Sequence, residues 1–99
     1  MTKYRQYYLQ MTEENAALFD QFQPIHDGYK QDRRAWSSQF HEVGGQVVEI
    51  MRDWEQRLCG SMERGKNAQY SARVAERFWA EIKKRFSHIE LVGVKSNLD

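Results

Sequence analysis

Three histidines, one cysteine and two carboxylates a helical turn apart are the groups in this chain whose chemistry goes beyond packing. Metal binding is the first use to weigh. Helical metal sites take donors three or four residues apart, so that both converge from one face. His26, His41 and His88 have no such partner, because no E-x-x-H, H-x-x-x-H or H-E-x-x-H spacing occurs. Cys59 stands alone, which excludes a cysteine-rich zinc centre and any internal disulfide. Neither G-x-G-x-x-G nor G-x-x-x-x-G-K-[ST] is present to cradle a phosphate. No cofactor and no metal are expected.

Acid–base and nucleophilic chemistry fare no better. His41 is followed by Glu42, but adjacent helical residues diverge, which is poor geometry for a dyad. Cys59 adjoins Leu58 at the edge of an apolar stripe and reads as a small half-buried hydrophobe. Only Arg57 is near enough in sequence to lower a thiol pKa. Glu49 and Asp53 repel slightly at i,i+4, with Glu42 and Gln46 on the same face. That face reads as a solvated acidic surface paired with arginines from another helix, with a cation site as the alternative. The reading therefore leans away from an enzyme.

Charge supplies a different possibility. Residues 1–56 carry six basic and nine acidic groups, and residues 57–86 carry eight basic and three acidic ones. Arg73, Arg77 and Lys84 fall on one face of a helix, with Arg64 and Lys66 just before it. Such a face suits nucleic acid or an acidic ligand. No DNA- or RNA-binding motif accompanies it, and the two blocks can also neutralise one another across the fold. With 15 basic and 14 acidic residues overall, the whole-chain charge argues for neither nucleic acid nor membrane.

The elements that must position these residues are helical. Tyr4, Tyr8, Met11, Asn15, Leu18, Phe22, Ile25 and Tyr29 alternate at steps of four and three, a coiled-coil-like seam over residues 2–27 or so. Asn15 is its polar member, read as a buried amide that sets register. Pro24 predicts either a kink with the helix continuing to about Tyr29, or a stop at Phe22. Gly28 is expected to end the segment.

Asp32 is the expected N-cap of a second, long helix reaching about residue 64. Its stripe is Trp36, Phe40, Val43, Val47, Ile50, Met51, Trp54, Leu58 and Met62. Arg33 and Arg34 in its first turn oppose the helix dipole and are expected to pair with a carboxylate elsewhere. Gly44–Gly45, inside that helix, predicts a close crossing or, alternatively, a binding site. Residues 63–69 read as a loop. Ser71 is the expected cap of a third helix over 71–86, with Tyr70 stapled against Ala75. Its apolar face is Val74, Ala75, Phe78, Trp79, Ile82 and Phe86, with Glu81 and Arg85 paired on the other side. Residues 87–94 have strand-like composition but no partner strand, so a short extended tail docked on the helices is expected.

The fold class expected is thus all-α: one domain over residues 1–99, a three-helix bundle built on a long antiparallel helical hairpin. Hydrophobic content of 40% excludes global disorder. No signal-peptide core or membrane-length apolar run occurs, and one cysteine suits a reducing compartment, so a cytoplasmic protein is expected. The long stripes exceed what a fifteen-residue third helix covers, which predicts a protein-interaction role through homodimerisation. The expected interface is the hairpin end: Phe22, Ile25, Trp36 and Phe40. Nucleic-acid or acidic-ligand binding by Arg73, Arg77 and Lys84 is the alternative.

Overall fold

Helical periodicity accounts for nearly all of the described backbone. The computed structural model describes residues 2–62 and 68–94, and within them the chain is all-α, with no strand. Helix α1 (Lys3–Glu14) is followed by α2 (Ala16–Gln31), α3 (Arg33–Met62), α4 (Ala68–Arg85) and a short 3-10 turn, Ile89–Leu91. The thirty residues of α3, about 45 Å at the helical rise, set the 47 Å long dimension of the molecule.

The expected first helix is two helices, and the break lies at Asn15 rather than Pro24. Asn15 leaves helical geometry at φ −120°, ψ 27°. Its amide side chain donates to the Met11 carbonyl at 2.9 Å, and its backbone N–H donates to the same oxygen at 3.1 Å. A side chain that competes for its own helix's carbonyls interrupts the ladder there. Pro24 lies inside α2. It sits on the exposed side, where water can satisfy the carbonyl that a prolyl nitrogen leaves unpaired.

Gly28 does not end α2, which continues to Gln31. A β-carbon at Gly28 would strike the indole ring of Trp36, so the glycine serves close packing between α2 and α3. The turn itself is one residue, Asp32, in extended geometry. Asp32 also caps α3 as expected: its Oδ1 accepts the Ala35 N–H at 3.2 Å. Arg33 lies over the Tyr29 ring, 5.6 Å from its centroid.

From that turn α2 and α3 lie against each other. Tyr29 and Phe40 stack at 3.8 Å, and Phe22 meets Phe40 at 5.7 Å. Phe22 and Val92 lie close against Gly44, whereas Gly45 faces open space. The buried core is Met11, Phe19, Phe22, Ile25, Tyr29, Phe40, Val47, Met51, Trp54, Leu58, Val74, Phe78, Ile82, Phe86 and Ile89. Each large apolar side chain so buried contributes about 1.5–3 kcal/mol relative to exposure.

Helix α4 begins at Ala68, so Ser71 lies within it rather than capping it. The side chains of residues 62 and 68–71, and with them the Tyr70 staple, lie outside the described residues, as do the loop at 63–67 and the tail at 95–99. The expected Glu81–Arg85 pair is replaced by contacts between helices. Glu81, buried, takes Arg5 of α1 at 3.2 Å, and also Lys84 of its own helix at 3.3 Å. Arg85 reaches α2, donating to Asp20 at 3.0 Å and to Gln23 at 2.7 Å. Trp79 Nε1 donates to Glu55 of α3 at 2.6 Å. A partner on another helix lets a half-buried charge keep a hydrogen bond that an i,i+4 pair at the surface does not need.

The chain after α4 is not extended. It turns at Phe86 and folds residues 86–94 over the side of α2 and α3, with Ile89 buried and Val92 against Gly44. Ile89–Leu91 coil as a 3-10 turn, and among the described residues there is no strand for them to pair with. This segment is called the strap below.

Candidate functional site

The four residues expected at an interface are placed unequally. Phe22 and Phe40 are fully enclosed and Ile25 nearly so, all within one chain. The strap supplies the cover: the Phe86 ring lies 5.2 Å from Phe22. Trp36 is half-buried, one side of its ring against Gly28. The basic face is at the surface. Arg73, Arg77 and Lys84 are all exposed. Lys84 is engaged by Glu81, whereas Arg73 and Arg77 make no ion pair among the described residues.

Two surface features come from the packing. The first is an apolar edge between α2 and α3. Trp36, Val43 and Ile50 recur every seven residues on α3, and each is half-buried. Leu18 of α2 is half-buried on the same seam spacing as Ile25. Helical spacing puts this edge on the flank of α3 away from Val48, Arg52 and Glu55, the residues that meet α4 and the strap. Beside it on α3 stand the exposed Gln39 and Gln46, with the acidic Glu42, Glu49 and Asp53 next to them. The edge ends in an open groove of about 300 Å³ where α1 bends away at Asn15. Ile50 and Trp54 form its floor, with Glu14, Glu49, Asp53 and Arg57 around it. Asp53 pairs with Arg57 on its own helix at 2.7 Å, not with an arginine from another helix, and Arg57 lies 4.8 Å from the Trp54 ring centroid.

The second feature gathers all three histidines beside the strap. His26 is enclosed. Its Nε2 accepts the backbone N–H of His88 at 3.0 Å, which leaves the proton on Nδ1, 3.0 Å from Asp27 Oδ1. His41 Nδ1 accepts the backbone N–H of Gly93 at 2.9 Å. The His88 ring stands 5.8 Å from that of His26. Burial holds the His88 imidazole below its ordinary pKa of 6.5, helped by the charges of His26, Lys30 and Arg33. The hydrogen bond from His26 holds the Asp27 carboxyl below its ordinary 3.8. No sequence signal marks these partnerships, since His26 and His88 are separated by 62 positions.

His26 and His41 each hold a backbone amide of the strap. Cys59 is half-buried in α3. No group of three metal-ligating side chains converges among the described residues. Among the described residues, no helix is long and apolar enough to cross a membrane. Compared with known proteins, the chain matches no family model, no curated protein and no solved structure.

Proposed function

We propose that this chain is a small protein-interaction module that associates with a second copy of itself through the Trp36–Val43–Ile50 edge. The observation that carries the reading is the edge itself: three apolar side chains at seven-residue spacing that stay only partly buried, with the uncharged Gln39 and Gln46 beside them. Charge-poor apolar surface is what interface cores are made of. A stripe with a heptad period pairs most economically with another of the same period. Two-fold pairing brings the same stripe from both copies together and leaves no open end. The wider architecture follows from this reading: a three-helix bundle in which α1 and α2 act as one bent arm of an antiparallel hairpin with α3. Of the four residues expected at the interface, Trp36 lies on this edge, and Ile25 backs it.

Sedimentation equilibrium at micromolar concentration tests the proposal. Dimer mass is expected for the wild type and monomer mass for Val43→Glu. A wild-type monomer across that range overturns it.

A second reading rests on Arg73 and Arg77, exposed and without a carboxylate partner among the described residues. In it the basic face of α4 binds nucleic acid through phosphate contacts. Retardation of an oligonucleotide at low salt, lost when Arg73, Arg77 and Lys84 are all changed to Gln, is the outcome that favours it. No retardation by the wild type removes it.

A further inference from the structure

Two polar contacts of one kind tie the strap to α2 and α3, each a backbone N–H donated to an imidazole nitrogen, and a Lys83–Glu90 ion pair ties it to α4. His26 Nε2 receives the amide of His88 and His41 Nδ1 receives that of Gly93. A ring nitrogen accepts a hydrogen bond only while it carries no proton. From this geometry we propose that residues 86–94 form a pH-operated latch, closed when His26 and His41 are neutral and loosened when either accepting nitrogen is protonated. Protonation turns the acceptor into a donor pointing at another donor, so the contact becomes repulsive. Phe86, Ile89 and Val92 then remain as the strap's apolar holds, with the Lys83–Glu90 pair anchoring it to α4 alone.

The surroundings favour release once a proton is added. Around His26 stand Asp27 and Lys30 on α2, Arg33 at the start of α3, His88 on the strap and Arg85 of α4, which lies over the Phe86 ring beside it. Arg85 is paired with Asp20, and Asp27, the anion that touches His26, already takes the Nδ1 proton. Around His41 are the Tyr29 ring, with Arg33 above that ring, and the exposed Glu42 next in sequence. A new imidazolium at His26 therefore enters a region that holds Lys30 and Arg33, with its Nδ1 already committed to Asp27. Lifting the strap uncovers Gly44 and the Phe22 ring against which Val92 and Phe86 lie. This inference stands apart from the paired edge, which lies on the other flank of α3.

Native-state amide exchange of the full chain between pH 7.5 and 5.5 tests it, read as protection factors so that intrinsic exchange is removed. Protection at the His88 and Gly93 amides is expected to fall at least about tenfold across the range in which imidazoles titrate. Val47 and Met51, in the middle of α3, should hold theirs. Gln presents an oxygen near the position of Nε2 and Asn one near that of Nδ1, and neither takes up a proton in this range. The pair His26→Gln and His41→Asn should therefore keep the strap protected and flatten the pH dependence. Nitrogen-15 shifts of the wild-type imidazoles provide a readout independent of any variant. At pH 7.5 they should show Nε2 of His26 and Nδ1 of His41 unprotonated, with proton uptake there in step with the loss of protection. Protection that stays constant across the range, or the opposite tautomers, overturns the latch. Repeating the exchange on Val43→Glu separates the two proposals, because that substitution should change the mass and leave the strap's pH response intact.

Discussion

His88 shows how one side chain makes stability depend on pH. In the folded chain burial and the nearby positive charges keep its pKa below 6.5, while the unfolded chain binds the proton at the ordinary value. Between those two values the unfolded state holds more protons, so stability rises with pH there. The contribution is complete above about 6.5 and is lost as pH falls through the folded value. Asp27 acts in the same direction lower down. Its carboxyl is depressed below 3.8 by the bond from His26, so its contribution is present above 3.8 and is lost in stronger acid. The urea midpoint is expected to be flat above pH 7 and to fall in a first step below 6.5. A midpoint that rises on acidification from 7 to 5.5 would contradict this assignment. Nothing in the neighbours of residue 88 along the chain announces its environment, which is made by His26 and by the end of α2.

At the scale of the element, the glycine pair in α3 separates two effects that share one residue type. A β-carbon at Gly44 would come within 2.8 Å of Val92 and 3.2 Å of Phe22, both in packed surroundings. Gly45 has nothing within 4 Å, and neither residue has positive φ. Gly44→Ala is expected to destabilise by about 1–3 kcal/mol through overpacking. Gly45→Ala is expected to stabilise by up to about 1 kcal/mol, through the helix propensity of alanine. Urea denaturation of the two variants checks the pair, and equal shifts of the same sign would refute it. The doublet is thus explained by packing at one position and by nothing beyond helix at the other. Its presence in the sequence signalled a close approach, but which glycine is approached depends on where Phe22 and Val92 lie.

At the scale of the molecule, the question is which part of a long helix goes uncovered. Helix α4 and the strap cover one flank of α3, through Trp79 on Glu55 and Val92 on Gly44. The bend at Asn15 swings α1 toward the far end of α3, where Tyr7 meets Trp54 at 6.0 Å. The flank between, from Trp36 to Ile50, is about 21 Å long at the helical rise and receives neither. If this edge pairs two copies, unfolding must also separate them, and the melting temperature should rise with protein concentration. Val43→Glu should abolish that rise along with the dimer mass. A melting temperature independent of concentration in the wild type would count against the edge as an association surface.

Much of this was legible in order along the chain. The three-and-four spacing of Phe40, Val47, Met51, Trp54 and Leu58 predicts the face that the structure buries, and Val74, Phe78, Ile82 and Phe86 do the same for α4. Asp32 reads as a cap and is one. These features are local: hydrophobic period and capping chemistry act within a few turns of one helix. The rest required distant residues to meet. Pro24 allows either a kink or a stop by its own chemistry, and the helix runs through it, while the break comes at the competing amide of Asn15. Phe19 and His26, off the predicted seam, are buried because Phe86 and the strap fold onto them. Trp36, Val43 and Ile50 belong to the same stripe as Phe40 and Met51 by spacing, yet they are only partly buried. Period alone determined that α3 has an apolar face. Only the path of α4 and the strap decided which edge of that face is covered, because cover is a property of what packs on a helix and not of the helix itself.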